Sequence, residues 1–229
     1  MRQEQPTIKE KPFYDYRAFL EREYGETLYR VPIDFGLGCP HRDPEGYGGC
    51  TFCSEEGARA KQTIKAETVE AQVESGISFA RSRYGVRHFA AYIQAFTGTF
   101  ASAGWQRQQY ERLLKTFPFS MLNIGTRPDC IDDDTLDFLE DMQKRLDVWV
   151  ELGVQSVHDE TLRRVNRCHT WEDSQNAIAR LKSRGIKAAA HVILGLPGEG
   201  LDAFCTTAES LNAQQIDAVK VHNLHVLKG

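Results

Sequence analysis

Short apolar runs alternate along the chain with longer stretches whose apolar positions recur every three to four residues. The runs at 28–36, 88–94, 120–125, 148–155, 188–194 and 218–223 are strand-sized and read as six β-strands. Between them, residues 68–83, 105–116, 132–145, 171–183 and 201–213 carry the helical period. In the first of these, Val69, Val73, Ile77 and Ala80 form one stripe behind the capping residue Thr68. Asp132 or Asp133 is placed to cap the third, and Gly185 to stop the fourth. Ahead of the series, residues 14–24 gather Tyr16, Phe19, Leu20 and Tyr24 near one face of a short helix that ends at Gly25.

Strands that alternate with helices build a parallel sheet. Six units are fewer than the eight that close a barrel. The predicted fold is therefore α/β, a partial (open) six-stranded parallel β/α barrel of the TIM-barrel-like kind, with functional groups on loops at the carboxyl ends of the strands. Residues 1–29 are expected to form a helical extension on a single domain of residues 30–229. The sequence ends directly after the sixth strand, whose outer face lacks the helix that parallel sheets place there. Either the chain is truncated at that point or the N-terminal helix covers the strand.

Composition narrows the class. Of the 229 residues, 41% are hydrophobic and 26% charged. No apolar run approaches the roughly 20 residues that span a bilayer, so the chain reads as soluble and globular. The N-terminus has no apolar signal-peptide core, which predicts a cytoplasmic protein with no membrane partner. With 28 Lys plus Arg against 32 Asp plus Glu, the net charge is -4, which excludes a molecule-wide electrostatic trap for nucleic acid and leaves only a local basic face. Six cysteines without an export signal point to thiols and metal ligands ahead of a disulfide framework. Cys130, Cys168 and Cys205 stand alone and read as small buried hydrophobes, although Cys130, in the turn after the third strand, is also placed to face a cavity.

The remaining cysteines carry the chemistry. After the first strand, FGLGCPHRDPEGYGGCTFC presents Cys39, Cys50 and Cys53 as C-x10-C-x2-C. Gly46, Gly48 and Gly49 let the backbone fold back so that Cys39 approaches the other two. Thiolates suit iron–sulfur clusters or zinc. Three ligands leave the fourth iron of a cubane open to a substrate or cofactor, whereas His41 as a fourth ligand would close a zinc knuckle. Both readings stand on the loop alone.

This loop resembles that of the radical S-adenosylmethionine (SAM) superfamily and, within it, of the YhcC/YtqA-type proteins, whose first spacer is also long. The usual spacing is C-x3-C-x2-C with an aromatic residue before the last cysteine. Phe52 matches that aromatic; the ten-residue spacer departs from the pattern and bears on Cys39 above all. The resemblance continues through YIQAFTGTF at 92–100, IGTRPDC at 124–130, ELGVQS at 151–156, RRVNRCHT at 163–170 and VILGLPGE at 192–199. It covers nearly the whole chain from the first strand onward. It implies a radical SAM core, a 4Fe-4S cluster on Cys39, Cys50 and Cys53, S-adenosyl-L-methionine as the second cofactor, and an external one-electron donor of the flavodoxin or ferredoxin kind.

By the same resemblance, Gln94 stands where the superfamily often has a Gly-Gly-Glu patch for the cofactor's amino group. Gln155 and Arg167, twelve residues apart, match the spacing in the coproporphyrinogen-dehydrogenase branch, where such residues meet the cofactor's ribose or methionine. An arginine fork suits a carboxylate. Gly195 and Pro197 resemble the GxP turn that lies against adenine, and His191 stands where the related branch has a ribose-binding aspartate; it reads equally as a core histidine satisfied by the backbone. Glu151, a carboxylate in an apolar strand, needs a partner: a ribose hydroxyl, an ammonium group or an arginine of the protein. Arg127 and Asp129 read as cofactor or substrate contacts or as an internal salt bridge. Lys220, His222, Asn223 and His225 read as substrate contacts or as a polar strand end.

The resemblance implies an enzyme that reductively cleaves SAM to a 5'-deoxyadenosyl radical. Because it extends to the elongator catalytic subunit, it also implies transfer RNA as a partner, with modification of the wobble uridine. Arg163, Arg164, Arg167 and His169 supply a small basic cluster for that role. Radical chemistry on a small metabolite or a protein side chain, and a non-catalytic zinc protein, are the alternatives.

Overall fold

The computed structural model describes residues 13–43, 45–54, 57, 59–60, 63 and 68–225. Helix α1 (Tyr16–Tyr24) is capped by the Asp15 carboxylate, which accepts from the Ala18 N–H, and ends at Gly25 with φ +75°. The repeating part then runs β1 (Tyr29–Ile33), α2 (Val69–Tyr84), β2 (Phe89–Ile93), α3 (Ala103–Thr116), β3 (Met121–Thr126), α4 (Asp133–Gln143) and β4 (Asp147–Gln155). It continues through α5 (Asp159–Arg164), α6 (Trp171–Ser183), β5 (Lys187–Leu194), α7 (Leu201–Ala213) and β6 (Ala218–Asn223). The six strands among the described residues are all parallel and lie side by side in chain order, curled into a half-barrel.

Two caps are the ones read from the sequence: Thr68 accepts from the Ala71 N–H at the start of α2, and Asp132 from the Thr135 N–H at the start of α4. Thr170, which the sequence reading did not single out, closes a reciprocal capping box with Asp173 on α6. The first strand is shorter than its apolar run: the chain leaves the sheet after Ile33 and turns at Gly36, φ +73°. Two short elements escape a periodicity reading because neither completes two helical turns: α5 and a single 3-10 turn at Pro128–Cys130.

The two faces of the sheet differ in chemistry. Outward positions Val31, Ile33, Ala91, Ile93, Leu122, Ile124, Val150, Leu152, Ala190 and Val192 join the helices in one continuous core. The inward positions instead form layers. The lowest is apolar, with Leu28, Ala90, Met121, Trp149 and Ala189 packed against Leu20 and Phe19 of α1. Phe19 meets the Trp149 ring edge-on at 5.4 Å, and the Tyr24 hydroxyl donates to Asp147 at 2.6 Å. Helix α1 therefore closes the amino-terminal end of the half-barrel and does not cover β6, whose outward Val219 and Val221 are 47% and 50% exposed. Above the apolar layer the inward side chains turn polar.

Candidate functional site

The long spacer of the cysteine loop folds as a hairpin. Arg42 and Gly48 pair as an antiparallel bridge; the Asp43 N–H donates to the Tyr47 carbonyl at 3.1 Å and the Tyr47 N–H to the Asp43 carboxylate at 2.7 Å. Gly48 is required at the base, because a Cβ there would lie 2.9 Å from the His41 carbonyl oxygen, and its φ is +87°. If the hairpin 42–48 is set aside, only Pro40, His41 and Gly49 separate Cys39 from Cys50, which restores the C-x3-C spacing. The Arg42 side chain ties the hairpin to the last cysteine by donating to the carbonyls of Cys53 at 3.1 Å and Ser54 at 2.6 Å.

Cys39, Cys50, Phe52 and Cys53 line a cavity of about 200 Å³ at the carboxyl ends of the strands. Gln94 of the β2 end, Glu151 and Gln155 of β4, and Arg167 line the same cavity, so these eight of the residues that the sequence offered as cluster or cofactor contacts come together. Gly195 and Pro197 do not. They follow β5 outside this lining, where Gly195 (φ +84°) faces Leu224 and the Pro197 carbonyl accepts from Arg164 at 2.8 Å. Gln155 ends β4 at a register shift and holds φ +71°, a strained conformation for a side-chain-bearing residue of the kind that collects at functional sites.

Arg167 is the hub of the cysteine side. Only 7% exposed, it sends Nη1 to Cys50 Sγ at 3.5 Å, Nη2 to the Gly153 carbonyl at 2.6 Å and Nε to His169 Nε2 at 2.9 Å. Receiving that bond leaves the His169 proton on Nδ1, which faces the Thr170 carbonyl at 3.1 Å. Burial and the adjacent Arg167 charge push the His169 pKa down to about 4. Gly153 makes room for the guanidinium, since a Cβ there would lie 2.6 Å from Arg167 Nη2. The glycine in the run ELGVQ was the signal of that close approach.

Arg127, 2% exposed, grips Asp129 with two bonds of 2.8 and 3.0 Å and donates to the Arg167 carbonyl at 2.8 Å. The internal salt bridge is thus the reading the geometry supports for this pair. His41 faces Asp129 at 3.2 Å and is not among the lining residues. Among the described residues no three His, Cys, Asp or Glu side chains gather about one point as a single metal ion would need.

The other end of the cavity is built round Glu151, 6% exposed in mid-strand. Its Oε2 accepts from the Tyr92 hydroxyl at 2.8 Å and from His191 Nε2 at 2.6 Å, and its Oε1 accepts from Asn123 at 3.3 Å. Arg30 and Lys220 each stand 3.6 Å away, and Lys220 donates to the Tyr92 oxygen at 2.8 Å. Burial works against the carboxylate, but the His191 bond and the surrounding positive charge outweigh it and bring its pKa down to about 2. The partners expected for Glu151 are therefore side chains of the protein itself. His191 is satisfied by a carboxylate and not by the backbone. Of the polar end of β6, Lys220 and His222 line the cavity while Asn223 and His225 are exposed outside it.

Two expectations need correction. The basic cluster divides: left-handed residues Asn166 (φ +53°) and Cys168 (φ +61°) turn Arg167 and His169 inward, leaving Arg163 and Arg164 exposed. Cys168 and Cys205 are exposed, one in that turn and the other on the outer side of α7, so neither is a buried hydrophobe. Cys130 is half-buried, with burial and Asp129 raising its pKa to about 12. Sequence reasoning also missed Tyr92 and Arg42, whose roles arise from contacts across the sheet and the loop.

The family model for the radical SAM superfamily matches residues 33–211. The chain belongs to that superfamily. It is 33% identical over 221 residues to the uncharacterized protein YtqA of Bacillus subtilis, covering 96% of this chain and 69% of that protein. To YhcC of Escherichia coli K12 it is 35% identical over 212 residues, covering 92% and 67%. A shorter match, 37% identical over 81 residues, covers 35% of this chain and 15% of the tRNA uridine(34) acetyltransferase of Methanocaldococcus infernus. Among solved structures, the archaeal Methanocaldococcus infernus Elp3 superposes with a TM-score of 0.67 at 19% identity, covering 88% of this chain and 47% of that one. That likeness concerns the fold. As a radical SAM enzyme the chain is expected to use a 4Fe-4S cluster and SAM. The donor set fits such a cluster: soft thiols beside the buried guanidinium groups of Arg167 and Arg127, which balance the negative charge that thiolate ligation brings. No helix among the described residues is long and apolar enough to cross a membrane.

Proposed function

We propose that this chain reductively cleaves SAM at a cluster held by Cys39, Cys50 and Cys53, and that it applies the resulting radical to a nucleobase of transfer RNA, with the wobble uridine as its target. The observation that carries the first part is the convergence of the three cysteines with Gln94, Gln155 and Arg167 on one cavity. A bound cluster and SAM supply one-electron cleavage of the sulfonium and a 5'-deoxyadenosyl radical. The protein's own work is positional. Arg42 braces the hairpin against Cys53, Arg167 holds Cys50 and shields it from water, and Phe52 walls the cavity between them. Gln94 and the strained Gln155 present amide groups to the polar end of a bound SAM.

The transfer RNA target is supported by the match to the tRNA uridine(34) acetyltransferase. The exposed Arg163 and Arg164 supply the local positive surface that the net charge allows. The test is anaerobic reconstitution with iron, sulfide and a reductant, then measurement of 5'-deoxyadenosine. The wild type is expected to release it and Cys53→Ala to release none. Transfer RNA is expected to bind in a salt-dependent manner and to gain mass on one nucleoside; no binding at low salt would remove the RNA part of the proposal and leave the SAM chemistry.

A further inference from the structure

The cavity has a second chemical pole, remote from the cysteine loop and left unassigned by the cofactor reading. Arg42, Arg127 and Arg167, which line the first pole, are turned to the loop and its surroundings. At the opposite end, Lys220 of the lining faces Glu151, the lone carboxylate among the described residues of that lining, and Arg30 stands against the same carboxylate from outside the lining. Because that one carboxylate is shared between the two cations, at 3.6 Å from each, the Lys220 ammonium is left incompletely balanced on the cavity side, and such a charge calls for an anion. Both cations are held in place. Arg30 lies over the rings of Tyr16 and Tyr92 at 5.2 and 4.9 Å, and Lys220 is fixed to the Tyr92 oxygen. Next to them, His222 packs on His191 at 5.1 Å between ring centroids, and its Nε2 is buried without a partner among the described residues. Arg30, Tyr92, Glu151, His191, Lys220 and His222 all stand on strands, so the arrangement is rigid before anything binds.

We propose that Lys220 and His222, backed by Arg30 and the Glu151 network, form an oxyanion subsite that takes a carboxylate or phosphate group of the substrate. Lys220 supplies the charge, His222 Nε2 supplies a directed hydrogen bond, and Glu151 holds Lys220 at the cavity wall while sharing its own charge with Arg30 behind it. The inference deepens the radical-enzyme reading of this cavity and rests on it only for the claim that the bound group belongs to a substrate.

The experiment is equilibrium dialysis of labelled inorganic phosphate and, separately, labelled acetate against the anaerobically reconstituted chain, with and without saturating SAM. Saturable binding of at least one oxyanion is expected, unaffected by SAM, kept in Lys220→Arg and weakened about tenfold or more in Lys220→Met. His222→Phe removes the unpartnered nitrogen without touching the Glu151 pairs, so it serves if Lys220→Met does not fold, and is expected to weaken binding several-fold. The proposal is overturned if neither oxyanion binds saturably, if both variants bind like the wild type, or if SAM displaces the ion. Release of 5'-deoxyadenosine by the same wild-type sample reads the radical chemistry separately. Binding without release would refute the proposed function alone; release without binding would refute the subsite alone.

Discussion

Replacing Glu151 with glutamine removes one charge from a layer in which Tyr92, Asn123, His191, Arg30 and Lys220 all converge on that carboxylate. The folded protein brings its pKa from an ordinary 4.5 down to about 2, which corresponds to about 3 kcal/mol of folding free energy at neutral pH. Because the folded value lies below the unfolded one, that stabilisation is complete above about pH 5 and drains away as pH falls towards 2. A glutamine would also set an amide N–H among groups that are already donors, so the loss at pH 7 is expected to be about 3–5 kcal/mol. In a chain of this size that lowers the melting temperature by roughly 6–20 °C. Urea unfolding of wild type and Glu151→Gln, at pH 7 and at pH 3, separates the charge effect from general acid destabilisation, since carboxylates common to both proteins cancel. The difference should shrink by about 2 kcal/mol between the two pH values. A difference that stays constant with pH, or one below about 1 kcal/mol at pH 7, would refute the account of Glu151 as an ionised hub.

Three further outcomes follow from the same geometry. Arg167→Lys keeps the charge but replaces a three-way fork by one ammonium, leaving Gly153 O or His169 Nε2 unpaired; stability should fall by about 1–3 kcal/mol in urea unfolding, with iron content after reconstitution falling too, and wild-type values for both would count against the hub. Gly153→Ala forces a Cβ to 2.6 Å from Arg167 Nη2 and 3.0 Å from Gln155 Nε2, an overpacking expected to cost about 1–3 kcal/mol by thermal unfolding; a neutral result would mean that the guanidinium yields freely. Replacing residues 43–47 by an Asn-Gly turn, with Arg42 and Gly48 kept, should leave the iron-to-protein ratio at the wild-type level while Arg42→Ala lowers it; the opposite ranking would show that the hairpin tip, not its base, shapes the cysteine loop.

Much of the fold was legible because its cues are local. Apolar runs with helical stretches between them located the six strands and the main helices, and Thr68, Asp132 and Gly25 cap or end helices by contacts with residues only a few positions away. The cysteine spacing was legible for the same reason, since the three thiols are carried on one short piece of chain. The six-residue α5 was not, because it is too short to display a period. The inward turn of Arg167 and His169 was hidden too, because the left-handed conformations of Asn166 and Cys168 leave no compositional trace.

What the sequence determined by itself is therefore the strand–helix succession, the thiol set of Cys39, Cys50 and Cys53, and the family to which these belong. Only the tertiary structure decided that the ten-residue spacer is a short one carrying a hairpin, that α1 closes the floor of the half-barrel, and that Glu151 belongs to Arg30, Tyr92, His191 and Lys220. The physical reason is one of range. Helical period, capping and ligand spacing depend on neighbours in the chain, whereas a polar layer on the inside of a curled sheet is assembled by the register between strands. Arg30 and Lys220 lie at opposite ends of the sheet, and only its curl brings both against one carboxylate.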